Sequence, residues 1–201
     1  MCGIIGAIGV HSSLSSDIAL NLISHRGPDS SGVFIRDKFF IGHTRLSIQD
    51  LSENGSQPMY SEDKRYVIIF NGEIYNHHDL RELLSTSNIY QHANRWRGHS
   101  DSETLLACIE AWGLEKTLQK TEGMFAIALW DTQTYTLHLA RDRFGEKPLY
   151  YGWANAKSSS EPAFVFGSEL KALRAYPGFT NPVSREALAL YIRFTYVPAP
   201  Y

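Results

Sequence analysis

Met1-Cys2-Gly3-Ile4-Ile5-Gly6-Ala7-Ile8-Gly9-Val10 opens the chain. The apolar run from Cys2 to Val10, broken only by glycine, reads as a buried strand, and Cys2 stands at its head. An ordinary cysteine in such a place is a small buried hydrophobe. Position two offers a second reading. A thiol attacks as thiolate and needs a base near neutral pH. A cysteine that has become the first residue carries its own base, because an α-amine titrates close enough to neutrality to accept the thiol proton and return it to a leaving group. Removal of Met1 is favoured by the small residue after it, and Gly3 leaves room for a ligand beside the amine.

The surrounding sequence narrows the compartment and the partners. With 201 residues, 43% of them hydrophobic, the chain can bury a core as one domain spanning 2–201. Lys and Arg total 19 against 21 Asp and Glu, which leaves no basic excess for nucleic acid or acidic membrane surfaces. The opening residues lack a secretory leader, and no stretch reaches membrane-spanning length. Cys2 and Cys108 are too few and too far apart for a disulfide framework or a thiolate metal cage, so no metal is expected and a cytoplasmic, reducing location is.

Beyond the opening strand, Val33 to Ile41, Tyr66 to Phe70, Met124 to Trp130, Tyr135 to Ala140 and Ala163 to Phe166 read as strands. Leu14 to Ile23, His78 to Ser85, Ser102 to Trp112, Glu169 to Ala175 and Arg185 to Ile192 read as helices, the third opened by a Ser100 to Glu103 capping box. Strands and helices without strict alternation indicate an α+β layered domain. Two long loops, Ser24 to Gly32 and Ser47 to Ser61, are of the kind that carries function, whereas the Ser-rich Asn155 to Pro162 carries no assignable chemistry. Glycine-rich phosphate signatures are absent, so no cofactor site is legible.

Seven segments share one pattern: Met1-Cys-Gly-Ile4, His25-Arg-Gly-Pro-Asp29, Gly42-His-Thr-Arg-Leu-Ser-Ile48, Phe70-Asn-Gly-Glu-Ile-Tyr-Asn76, Ser100-Asp-Ser-Glu103, Gly123-Met-Phe-Ala126 and Ala140-Arg-Asp-Arg-Phe-Gly-Glu-Lys-Pro-Leu-Tyr-Tyr151. In content and order they resemble the class II, N-terminal-nucleophile glutamine amidotransferase domain of asparagine synthetases. The ending Arg193-Phe-Thr-Tyr-Val-Pro-Ala-Pro200 is similar to that branch too. The resemblance implies a four-layer αββα sandwich of the N-terminal nucleophile hydrolase type. It also implies hydrolysis of L-glutamine through a γ-glutamyl thioester, with ammonia as the useful product. ATP and magnesium are then expected only in a C-terminal or separate synthetase domain that this chain lacks, and a homodimer is compatible with it.

A glutamine pocket must hold an α-carboxylate, an α-ammonium and an oxyanion. Arg45 suits the carboxylate, since a guanidinium stays charged and forks onto both oxygens, and the resemblance places its arginine there. Asn71-Gly72 alone reads as a hairpin turn. By resemblance its side-chain amide and the next N–H are the oxyanion donors, and Glu73 helps to frame the substrate. Asp101 has a capping reading at a helix start beside the implied one, pairing with the ammonium. His25, Arg26 and Asp29 are expected to order loops, and Asp142, Arg143 and Lys147 to form a solvated charged turn. His25, His43 and His99 invite a Cys–His pair that the N-terminal amine makes redundant. Two other readings remain at this point: a glutamine-binding regulatory or docking module without turnover, and amide hydrolysis of another substrate or self-processing.

Overall fold

A computed structural model describes residues 1–9, 13–86, 96–155 and 162–198. Among them lie nine strands: β1 (Gly3–Ile8), β2 (Ser30–Arg36), β3 (Phe39–Arg45), β4 (Met59–Tyr60), β5 (Tyr66–Ile74), β6 (Gly123–Asp131), β7 (Thr136–Arg141), β8 (Tyr150–Ala154) and β9 (Ala163–Gly167). The helices are α1 (Ser13–Ile23), α2 (His77–Thr86), α3 (Asp101–Trp112), α4 (Leu114–Lys120), α5 (Leu170–Leu173) and α6 (Arg185–Phe194). All strand pairs are antiparallel, in one sheet ordered β2-β3-β1-β9-β8 and another ordered β4-β5-β6-β7.

Successive side chains of a strand point to opposite faces. On β1, Ile4 joins a cluster with Ile41, Val67, Ile69, Ala126, Ala128 and Phe166, which fills the gap between the two sheets. Ile5 and Ala7 point the other way, onto Ala19, Leu20 and Ile23 of α1 and Ala172 and Leu173 of α5. On β5, Val67 and Ile69 face the first sheet, while Ile68, Phe70 and Ile74 face Leu80 and Leu84 of α2 and Leu105 and Leu106 of α3. Helices on one sheet, two sheets face to face and helices on the other make the four-layer αββα sandwich. Both faces of the central strands are buried, which is why they read as unbroken apolar runs.

The gap between the sheets is closely filled. Phe39 of β3 stacks on Trp130 of β6 with centroids 3.9 Å apart. Phe166 is fully buried over Gly6, where any Cβ would overlap its ring.

The Val33 to Ile41 expectation is corrected. The apolar run is a hairpin, β2 and β3, reversed at Asp37 (φ 53°) and Lys38 with Arg36 opposite Phe39. Asp tolerates the left-handed conformation that the turn needs. Three elements add to those expected: α4, β8 and the two-residue β4 inside the Ser47 to Ser61 segment. Residues 156–161 of the Ser-rich stretch, and 199–201, lie outside the described residues. Among the described residues no helix is long and apolar enough to cross a membrane.

Phe166→Ala empties the centre of the inter-sheet layer and is expected to cost about 3–5 kcal/mol of unfolding free energy. Denaturant titration of both chains measures it; a loss below about 1 kcal/mol would show that this layer is not the packed core described.

Candidate active site

The same two-residue alternation builds the site. Ile4, Ile41 and Ile69 point into the inter-sheet gap, so Cys2, His43, Arg45 and Asn71, each two or four residues away along its strand, point into the open end of that gap. There they line a cleft of about 140 Å³ together with Leu46, Asp50, Gln57, Gly72, Glu73, Asp101, Ser102 and Lys147. All six expected site residues, Cys2, Arg45, Asn71, Gly72, Glu73 and Asp101, border this one cavity.

Cys2 sits where β1 leaves its neighbour β3. The Leu46 N–H donates to Sγ at 3.4 Å and the Leu46 carbonyl lies 3.7 Å from it. The N–H contact strengthens when sulfur carries negative charge. Arg26 Nε donates to the Cys2 carbonyl at 2.9 Å, and Glu169 holds that guanidinium at 3.1 Å while accepting from His25 at 2.9 Å. Asp29 accepts from the Ser47 N–H at 2.7 Å. The loop-ordering expectation for His25, Arg26 and Asp29 therefore has its partners in these bonds. Cys108 is fully buried, and burial pushes its thiol up to about 12, which leaves it inert.

No histidine pairs with Cys2 among the described residues. His43 is buried and donates from Nε2 to the Phe70 carbonyl at 3.2 Å; burial first, and Arg45 in addition, lower it to about 3 against the opposing pull of that bond, so it stays neutral.

Asn71-Gly72 is not a turn. It lies inside β5, with Asn71 opposite Ala126 and Gly72 opposite Phe125. Asn71 is 1% exposed, and among the described residues its Nδ2 has no hydrogen-bond partner, a buried donor on the cleft wall. Such a group is costly unless something pairs with it. Gly72 is there for closeness, since a Cβ would strike the Met124 carbonyl.

Arg45, the last residue of β3, is buried, with its guanidinium held by the Asp50 carbonyl at 2.5 Å and the Ser56 hydroxyl at 3.4 Å. Donors remain for a carboxylate. Asp50 pins the loop around it by accepting from the Ser52 hydroxyl at 2.6 Å and the His99 N–H at 2.8 Å. These bonds, the Ser52 hydroxyl foremost, lower its carboxyl to about 2. Nothing in its sequence pattern beyond the Asp-Leu-Ser turn chemistry pointed to Asp50.

Asp101 opens α3 after its N-cap Ser100, whose hydroxyl accepts from the Glu103 N–H at 3.3 Å. The capping box is only half formed, because the Glu103 carboxylate turns to the N–H groups of Arg97 and Gly98 at 2.8 and 3.1 Å. Asp101 is 6% exposed and accepts from the Ile74 N–H at 2.9 Å. Burial raises its carboxyl from 3.8 to about 6 against the pull of the Ile74 and Ser102 bonds, and Glu73, exposed at the cleft mouth, adds to the rise. A carboxylate so placed gains from a cationic ligand.

The solvated reading of the 142–147 turn is corrected. Asp142 is buried and accepts from the N–H groups of Phe125, Phe144, Glu146 and Lys147 at 2.9 to 3.2 Å. Burial alone would raise its carboxyl, and the four bonds together hold it below its ordinary value. Lys147 is buried on the cleft wall with Nζ 3.5 Å from Met1 Sδ, while Arg143 stays exposed.

A family model described as a glutamine amidotransferase domain matches residues 1–201. The chain is similar to glutamine-hydrolyzing asparagine synthetase 1 of Bacillus subtilis (strain 168), 39% identical over 207 residues, which are all of this chain and 30% of that protein. A putative glutamine-hydrolyzing asparagine synthetase 2 of Methanocaldococcus jannaschii is 31% identical over all of this chain and 41% of its own length. The chain thus spans well under half the length of these curated relatives. In fold it is similar to the glutamine phosphoribosylpyrophosphate amidotransferase from B. subtilis solved with ADP and GMP, with a TM-score of 0.70 at 20% identity over 87% of this chain and 43% of that one.

The raised carboxyl of Asp101 has a stability signature. Its folded form holds a proton up to about pH 6 that the unfolded chain releases near 3.8, so its contribution is complete below the lower value and is lost as pH rises through the upper one. Asp101→Asn keeps an acceptor for the Ile74 N–H and removes the titration. Relative to wild type, the variant should gain stability between pH 4 and pH 7 in denaturant titrations; a difference independent of pH would contradict the assignment.

Proposed function

The chain belongs to the glutamine amidotransferase domain family, and from that premise we propose that it hydrolyses the side-chain amide of L-glutamine, with Cys2 as nucleophile once Met1 has been removed. The observation that carries the assignment of the site is the convergence, in one cleft, of the Cys2 thiol, the buried Asn71 Nδ2 that has no partner among the described residues, the Arg45 guanidinium and the Asp101 carboxylate. Each matches one demand of a free amino acid amide. Arg45 takes the α-carboxylate, Asp101 the α-ammonium, and Glu73 frames the mouth. Both charged ends being matched favours a free amino acid over an amide within a peptide.

The reaction follows from these places. The freed α-amine of Cys2 takes the thiol proton, and the thiolate adds to the amide carbon of glutamine. The oxygen becomes negative and is received by Asn71 Nδ2 and the Gly72 N–H. By strand alternation that N–H lies on the edge of β5 turned away from β6, as Phe70 and Ile74 do, whose N–H groups bond to side chains. The amine returns its proton to the departing nitrogen, which leaves as ammonia, and a γ-glutamyl thioester remains. Water, deprotonated by the amine, adds to the thioester, and collapse releases glutamate and the thiol. Asp101 must be ionised to hold the substrate ammonium, so KM for glutamine should rise as pH falls below about 6.

Ammonia so formed serves an amidation. Relatives at this level of identity are asparagine synthetases of which the chain spans 30 to 41%. We propose that the acceptor chemistry, with its ATP and magnesium, resides in a synthetase portion corresponding to the remainder, and that the whole works in the reducing cytoplasm that a free thiol requires.

Cys2→Ala should abolish glutamate release while leaving glutamine binding, and Asn71→Ala should lower kcat by about 10²–10³ with little change in KM, as loss of one oxyanion donor does. Steady-state glutaminase assays with intact-mass confirmation of the N-terminus measure both; full activity in the Cys2 variant would refute the mechanism.

A further inference from the structure

Strand β5 is paired on one edge by β6 along its whole length, but on the other edge β4 reaches only Ile68, opposite Met59. Continuing that register places Gln57 opposite Phe70. The ladder between β4 and β5 ends at the Met59–Ile68 pair, before it reaches Gln57. The Gln57 side chain, 8% exposed, takes the place of the missing strand: Oε1 accepts from the Phe70 N–H at 2.6 Å, and Nε2 donates to Ser102 Oγ at 3.2 Å. A carboxamide offers the same acceptor and donor as a peptide group. His43 Nε2 donates to the carbonyl of the same Phe70 at 3.2 Å.

Both backbone groups of Phe70 are thus fixed by side chains, immediately before Asn71 and Gly72. Ser102 Oγ in turn donates to Asp101 Oδ1 at 3.4 Å, and Asp101 fixes the Ile74 N–H. The unpaired edge of β5 is therefore tied at Phe70 and at Ile74, with Gly72 between them facing the cleft.

We propose that Gln57 is a positioning residue for the oxyanion donors: its carboxamide, braced on Ser102, stands in for a strand and holds the Phe70–Gly72 backbone so that Asn71 Nδ2 and the Gly72 N–H meet the same oxygen. The inference rests on the glutaminase reading. Gln57 borders the cleft but acts through the backbone of β5, so its effect belongs to the step in which the oxyanion forms and not to the holding of the amino acid's charged ends.

Gln57→Leu removes both hydrogen bonds at similar volume, whereas Gln57→Glu keeps the acceptor for the Phe70 N–H and keeps a bond to Ser102 by taking the hydroxyl proton that otherwise goes to Asp101. With the full chain and glutamine, the Leu variant should lose about 10–100-fold in kcat, less than or equal to the loss of a whole donor. Its KM should stay within about threefold, and the Glu variant should recover most of the loss. A kcat within twofold of wild type for Leu, equal losses for Leu and Glu, or a loss carried by KM would each overturn the proposal. An inactive wild-type chain would instead remove the glutaminase reading, and this inference with it. If Gln57→Leu does not fold, amide exchange in the wild-type chain decides: the Phe70 N–H should exchange slowly as a bonded amide, and rapid exchange there would overturn the proposal.

Discussion

Among the described residues the open edge of β5 has no strand beside it beyond Ile68, and much else in the molecule answers that constraint. A buried backbone group must find a partner. Here the partners are side chains drawn from three places: Gln57 from the loop before β4, His43 from β3 of the opposite sheet and Asp101 from the start of α3. Each joins a different layer to one strand. A regular sheet would have consumed the Gly72 N–H in its ladder; the short β4 leaves that edge facing the cleft, where polar groups can meet a ligand.

The second organising fact is the two-residue alternation along β1, β3 and β5. The residues that close the inter-sheet core and those that line the cleft are successive members of the same rows: Ile4 then Cys2, Ile41 then His43 and Arg45, Ile69 then Asn71. Rigid packing of the first set fixes the second. Much of the cleft lining is thus placed on strands, and the Leu46 to Gln57 segment that lines it beside them is itself pinned by Asp50 to Ser52 and His99. The cost is local: Asn71 Nδ2 is left buried without a partner among the described residues, and the Asp101 carboxyl is raised by burial. Both are relieved by a ligand of the right charge and shape.

Much of this was legible in the sequence because the central strands are buried on both faces and spell apolar runs. The reading failed where the run did not stop at a turn. Val33 to Ile41 passes through Asp37-Lys38 with no glycine to mark the reversal, and two strands read as one. β8 carries Tyr151 and Trp153 exposed at a sheet edge, and α4 is short and largely polar, so neither offers a clear period. Of the cleft lining, the motif residues were legible in the sequence, but Gln57, Asp50 and the wall formed by Lys147 were not. Their roles depend on which strand edge is left open and on how the 142–147 turn folds, and no local pattern encodes either.

The proposed chemistry depends on Cys2 attacking with a free α-amine at the open end of the inter-sheet gap. Rapid quenching of the chain with glutamine, followed by mass spectrometry of the N-terminal peptide, tests this most directly. A γ-glutamyl adduct on Cys2, confined to chains that have lost Met1, is the predicted result. Glutamate release without that adduct, or an adduct on chains that retain Met1, would contradict it.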